Sequence, residues 1–325
     1  MQTFRALATE HMNANRADWT DRTWAIYRRL LEAHVRHHDI ADMPLRSITP
    51  EACERFRDDL RAAGAGTEAT RKTMALMQSI HERAVRFGRA PSNPWKTVKK
   101  PKATGRKTAR VIGPEAVEAI RANLTGAHAV FVSVLAYGGL RPGEARGLHW
   151  GDIGARSIHV REGVNPDGSP KDTKTTKTRS VRLLAPLAED LAAWRLASGN
   201  PADGALIFPR ADGGAWTEVD YRNFARRQFR TAAKNAGADI GRPYDLRHSA
   251  ASLWLHEGIN PVQVAAWMGH KPSMLLDNYA YVIAEVDPDD RRSAVDMIRA
   301  ARGHDIPVTW LGDRRSQAPV MRSTG

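Results

Sequence analysis

A chain of 325 residues with 42% hydrophobic side chains has material for two buried cores, which excludes a disordered or collagen-like chain. Its formal charge of +13 calls for an anionic partner, with nucleic acid ahead of a membrane surface, because no apolar run approaches the length of a bilayer span. The single cysteine, Cys53, excludes an intramolecular disulfide framework and a paired-cysteine zinc site, and reads as a small buried helix residue. Met1-Gln2-Thr3-Phe4-Arg5 does not open a secretory leader, so a cytoplasmic, nucleoid-associated protein is expected.

Helices fill the first hundred residues. Phe4, Leu7, Ala8 and Met12 give one apolar stripe, and Trp24, Tyr27, Leu31 and Val35 give a second behind Thr20 as N-cap. A third helix begins at Thr49-Pro50, turns Phe56 and Leu60 inward and stops near Gly64. The fourth runs from Thr67 to Gly88 with Met74, Met77, Ile80 and Ala84 inward, which makes residues 1–98 a small helical bundle. Arg71, Lys72, Arg83, Arg86 and Arg89 line the fourth helix and its end, either as a solvated face or as a nucleic-acid contact. From Arg83 to Pro114 there is no acidic side chain. Pro91, Pro94 and Pro101 among Lys96, Lys99, Lys100, Lys102, Arg106, Lys107 and Arg110 predict an extended cationic segment that cannot bury itself, with residues 99–112 as linker.

The second domain starts at Gly113-Pro114-Glu115, with Val117, Ile120 and Leu124 at helical spacing. A buried helix through Val130, Phe131, Val134 and Leu135 ends at Gly138-Gly139, and Leu140-Arg141-Pro142-Gly143-Glu144 follows at the start of another. Alternation in Ser157–Arg161 and Ser180–Leu183, with turn chemistry at Asn165-Pro166-Asp167-Gly168, predicts a hairpin or small three-stranded sheet. Its returning limb carries Lys171, Lys174, Lys177 and Arg179. Pro186–Leu196 reads as a core helix. In the helix from about Thr217 to Ala236, Arg222, Arg226, Arg230 and Lys234 recur every four residues, opposite Tyr221, Phe224, Phe229 and Ala232. Like charges stacked that way repel, so an anion such as DNA phosphate is expected to relieve them. Asn260-Pro261 starts a helix that Gly269 ends, Tyr279 falls in or near a short helix after Ser273, and Ser293–Ala301 is a helical segment in a tail of residues 288–325. His37-His38 and His248 lack partners at metal-ligand spacing, so neither a metal nor a cofactor is expected.

The stretch Tyr244-Asp245-Leu246-Arg247-His248, then Gly269-His270, then Tyr279 suggests phosphate chemistry: a guanidinium fork for the oxygens, an imidazole for a hydrogen bond or proton, a phenol as nucleophile. With Arg141 and Glu144 upstream and a hairpin lysine between, this order and spacing resembles the tyrosine recombinases of the phage integrase family over roughly residues 113 to 285. The resemblance implies a mainly α fold with a small antiparallel β-sheet: a helical core DNA-binding domain (1–98), a basic linker (99–112) and a catalytic domain (113–287). Arg141 and Arg247 then grip the scissile phosphate, Tyr279 attacks it, His270 bonds the phosphate or handles the tyrosine proton, and Glu144 orients the other side chains. Lys174, eight residues before Arg182, is the expected general acid, with Lys177 its rival.

The resemblance further implies a C-shaped clamp around double-stranded DNA recombination sites, with Arg83, Arg86, Lys99, Lys100, Lys102, Arg222, Arg226 and Arg230 facing DNA. It also implies a homo-tetramer working through a Holliday junction, a tail that packs on a neighbouring protomer, and room for an excisionase or host DNA-bending factor. A separate arm-site DNA-binding domain is not expected. The family pattern His-x-x-Arg is broken by Tyr244, whose phenol cannot serve as a near-neutral base, which shifts attention to His270 and His248. Alternatives to an integrase are a resolvase or invertase, a type IB topoisomerase-like strand transferase, and a non-catalytic DNA-binding accessory protein with a degenerate site.

Overall fold

Residues 2–102, 112–171, 178–285 and 291–303 are described by the computed structural model, and the chain divides into two compact units between Lys107 and Thr108. In the first unit, α1 (Phe4–Ala14), α2 (Asp21–His34), α3 (Pro50–Ala62) and α4 (Thr67–Arg86) form the bundle. Thr3, Thr20 and Thr49 cap the first three, each accepting a hydrogen bond from a backbone N–H three residues on. Trp95 packs edge-on against Phe56, with ring centres 5.6 Å apart, and also meets Phe4; all three are closed off from solvent.

That tryptophan corrects one expectation. The proline- and lysine-rich stretch does bury itself up to Val98, because Asn93 caps a short 3-10 turn that carries Trp95 into the core. Its continuation is also tied down: Arg57 donates to the carbonyl of Lys99, Arg71 to that of Pro101, and Lys100 to Gln78. In α2 Leu30 is buried, Tyr27 and Leu31 pack partly buried against the core, and Val35 just beyond it is closed off. Trp24 is half-exposed, with Arg16 and Arg28 over its ring, 5.2 and 4.7 Å from the centre.

The second unit is built around α6 (Gly126–Tyr137), in which every side chain from Val130 to Tyr137 is buried. Packed near it are α5 (Pro114–Ala122), α7 (Pro142–Arg146), α8 (Ala185–Ala197) and α11 (Arg247–His256). Strands β1 (Ser157–Val160) and β2 (Arg179–Arg182) pair antiparallel, Ser157 opposite Arg182 and Val160 opposite Arg179. A continuous helical run follows: α9 (Glu218–Asn223), a π-helical turn (Phe224–Phe229) and α10 (Arg230–Asn235). The remaining helices are α12 (Pro261–Met268), α13 (Pro272–Glu285) and α14 (Ala294–Gly303). The last buries Ala294, Ile298 and Ala301 in its own chain, and its Arg302 reaches Asp190 at 2.7 Å and Glu118 at 3.3 Å. No helix among the described residues is long and apolar enough to cross a membrane.

One backbone position delivers the chain from this core to the functional region. Gly139 has φ +61°, and a Cβ there would lie 3.1 Å from Ala250 and from Trp254 and 3.2 Å from the Met268 sulfur. Only glycine lets the chain leave α6 between α11 and α12 and place Arg141 two residues later. Gly139→Ala is expected to destabilise the chain by about 1–3 kcal/mol through overpacking and positive φ. A denaturant midpoint indistinguishable from that of the parent would refute the tight passage.

Candidate active site

Helix α12 ends in a left-handed glycine, Gly269, and its last carbonyls have no partner inside the helix. Three guanidinium groups supply the donors. Arg179 Nε donates to the Trp267 carbonyl at 2.8 Å, Arg247 Nη2 to the Met268 carbonyl, and Arg141 Nη2 to the Gly269 carbonyl at 2.9 Å. A helix C-terminus carries partial negative charge, so cations belong there. Gly269 is required by φ +59° and by space: a Cβ would sit 3.3 Å from Arg141 and 3.4 Å from Arg179.

The same three arginines converge on Glu144. Arg179 holds both carboxylate oxygens at 2.8 and 2.7 Å, Arg141 donates from Nη1 at 2.9 Å and from its backbone N–H at 2.7 Å, and Arg247 lies 3.8 Å away. Burial opposes the charge on Glu144, yet Arg179, the Arg141 backbone N–H and Arg247 together outweigh it and hold the pKa at about 2. Three cations against one carboxylate leave the cluster positive.

Arg247 is 1% exposed, and its second donor goes to the Gly139 carbonyl. Burial, then the neighbouring Arg141, lowers its pKa to about 10, so it stays charged at neutral pH. Its buried Nε has no hydrogen-bond partner among the described residues. His270, half-buried after the glycine turn, faces Arg247 with Nε2 at 3.3 Å. Burial and the arginines push it down to about 4, so it is neutral at physiological pH. Tyr279, on α13, is fully buried, and its hydroxyl is hydrogen-bonded to Nδ1 of His248. Burial also lowers the pKa of His248, keeping that imidazole neutral and able to accept a proton.

The structure thus brings Arg141, Glu144, Arg247 and His270 together and pairs Tyr279 with His248. Tyr244, in the 3-10 turn before α11, is 38% exposed and lies edge-on to the His248 ring, 6.3 Å between centres. Lys174 and Lys177 lie outside the described residues. Sequence reasoning misses Arg179, which reads only as one more cation of the hairpin. Its signal is position: it is the first residue of β2, where alternation resumes and one face must turn inward.

The residues expected to face DNA divide. Arg83 is engaged by Glu10 at 3.1 Å, whereas Arg86 is exposed. Lys100 bonds Gln78, while Lys99 and Lys102 are exposed. Arg222 donates to the Glu218 carbonyl at 3.2 Å, and Arg226, Arg227 and Arg230 are exposed without an ion pair among the described residues. Most other arginines of this unit are paired, so this run stands out. The π turn also changes its geometry: Arg226 and Arg227 both reach the surface, whereas the four-residue spacing predicts a uniform α-helix.

A buried Arg247 and a 38% exposed Arg141 around one carboxylate, with a neutral imidazole facing Arg247, sit on a mainly helical unit with a small antiparallel sheet. Residues 111–285 match the phage integrase family. A prophage phiRv2 integrase of Mycobacterium tuberculosis is 28% identical over 270 residues, 77% of this chain and 67% of that protein. Among solved structures, the Tn1549 transposon integrase bound to a circular intermediate DNA superposes with TM-score 0.73 at 17% identity, covering 86% of this chain and 95% of that one. A lambda integrase tetramer bound to a Holliday junction gives TM-score 0.64 at 15% identity over 83% of this chain and 78% of that one. The chain belongs to the phage integrase family and is a tyrosine-type site-specific recombinase.

The charge of Glu144 couples to stability. Its folded pKa is depressed, so its contribution is complete above the unfolded value near 4.3 and is lost as pH falls toward about 2. The stability difference between the parent and Glu144→Gln should therefore shrink by roughly 3 kcal/mol between pH 6 and 2. Chemical denaturation at several pH values measures it, and a pH-independent difference would show that Glu144 is not held as a carboxylate.

Proposed function

We propose that this recombinase is an integrase that cuts and rejoins DNA through a 3′-phosphotyrosyl intermediate. The observation that carries the reading is the Tyr279 hydroxyl bonded to a neutral, half-buried His248 on the helix that Arg247 begins. In the cleavage step the Tyr279 oxygen bonds to phosphorus while the phosphorus bond to the 5′-oxygen breaks. The phenolic proton passes to His248, and the leaving oxygen takes a proton from Lys174, with Lys177 as the alternative donor. Arg141 and Arg247 bind the non-bridging oxygens, with His270 as a neutral hydrogen-bond partner, and their attraction grows as charge develops in the transition state. Attack by a 5′-hydroxyl from a second duplex reverses the step and restores Tyr279.

Arg247 and Tyr279 are both closed to solvent, so DNA binding must open the packing around them. The lambda integrase tetramer on a Holliday junction is the precedent for a tetrameric assembly here. Residues 1–98 and 113–287 are read as the core-binding and catalytic domains, joined by the basic segment 99–112 and acting in the cytoplasm. Arg86, Lys99, Lys102, Arg222, Arg226 and Arg230 supply phosphate contacts, and an excisionase or host bending factor assists.

A nicked suicide substrate, which loses the strand needed for rejoining, should trap a covalent protein–DNA complex with the parent chain and none with Tyr279→Phe. Trapping that survives this substitution would rule out Tyr279 as nucleophile. For the exposed arginines, replacing Arg226 and Arg230 together by glutamine should lower the slope of log affinity against log salt by about 1 for each phosphate that is no longer neutralised. An unchanged slope would remove this face from the DNA interface.

A further inference from the structure

Arg179 has no part in the chemistry just described, yet its side chain is 10% exposed and all three of its guanidinium nitrogens are engaged. Its guanidinium takes both oxygens of Glu144, whereas the Arg141 side chain bonds one of them through Nη1 and its backbone N–H donates to the other. Planar two-point pairing is the strongest arrangement open to a carboxylate and a guanidinium. With Glu144 committed to Arg179, Arg141 keeps N–H groups unspent and remains 38% exposed. Without Arg179 the carboxylate would turn fully onto Arg141, neutralise it and draw its donors away from a phosphate. The Trp267 contact adds a second constraint, since it fixes the end of α12 two residues before Gly269, whose carbonyl aims the other end of Arg141.

We propose that Arg179 is a positioning residue for strand cleavage: it occupies Glu144 so that Arg141 stays charged, open and aimed at the scissile phosphate. This rests on the reading of Arg141 as a phosphate clamp. Strand β2 thereby sets the electrostatics of the site through a residue that never touches DNA.

The test is single-turnover cleavage of the suicide substrate, with DNA affinity and thermal midpoint measured alongside. Arg179→Gln should slow cleavage roughly 10- to 100-fold, the range for residues that orient a functional group, while DNA affinity stays within about threefold. In the double variant with Glu144→Gln, loss of Arg179 should cost about threefold or less, because the carboxylate it restrains is gone. Should Arg179→Gln fail to fold, the same cycle is run with Arg179→Lys, which keeps the charge but cannot span both oxygens and the Trp267 carbonyl. A cleavage rate within about threefold of the parent, or effects that multiply in the double variant, would overturn the proposal. Absence of trapping by the parent chain would instead overturn the recombinase mechanism beneath it, and the proposal with it.

Discussion

Everything in the second unit depends on a single problem of charge: three guanidinium groups must be held close together. Two unit charges 4 Å apart repel by on the order of 4 kcal/mol at the effective dielectric of a protein surface. The fold offsets this with one carboxylate and one helix end. Glu144 accepts from Arg141 and Arg179 and lies near Arg247, and the carbonyls of Trp267, Met268 and Gly269 take one arginine each. One carboxylate cannot neutralise three cations, and the surplus positive charge is what an incoming phosphate, more negative still in its transition state, would meet.

Geometry follows from that requirement. Arg141 must lie beside the end of α12 while its backbone leaves the buried helix α6, and Gly139 is the narrow passage that permits both. Gly269 must turn the chain left-handed without filling the space of two arginine side chains. Arg247, the first residue of α11, bonds carbonyls on either side, at Gly139 and Met268, so the two glycine turns are held together by a catalytic candidate. The functional groups are therefore also the struts of the core. In the proposed mechanism such a site is opened by the free energy of DNA contacts elsewhere on the surface.

Much of this is legible in the chain, and the gaps have physical causes. Arg141, Arg247, His270 and Tyr279 can be picked out because the arginines and the histidine are each tied to a local signal, a glycine pair, a helix start or a helix stop, and the tyrosine follows at a fixed interval. Strand alternation says that one face of the hairpin limb turns inward, but it cannot say that Glu144 waits there, since that partner is 35 residues away in sequence. Trp95 is hidden by its prolines and lysines, which suggest solvation even though one aromatic ring outweighs them. The arginines at four-residue spacing read as a uniform helix, and no sequence period announces a π turn.

The most informative departure is Tyr244, where the family pattern has histidine. His248 lies four residues further on, about one helical turn, and its Nδ1 receives the Tyr279 hydroxyl. Tyr244 lies edge-on to that same imidazole, 6.3 Å between ring centres, and is 38% exposed. His270 is the weaker acceptor: burial and the arginines beside it hold its pKa to about 4, which disfavours carrying a second proton. His248 is depressed chiefly by burial, with Asp245 acting in the opposite direction and Arg247 and Arg242 adding smaller depressions. In the proposed mechanism, electrostatics favours residue 248 as proton acceptor and residue 270 as phosphate ligand, a division that dispenses with a histidine at 244.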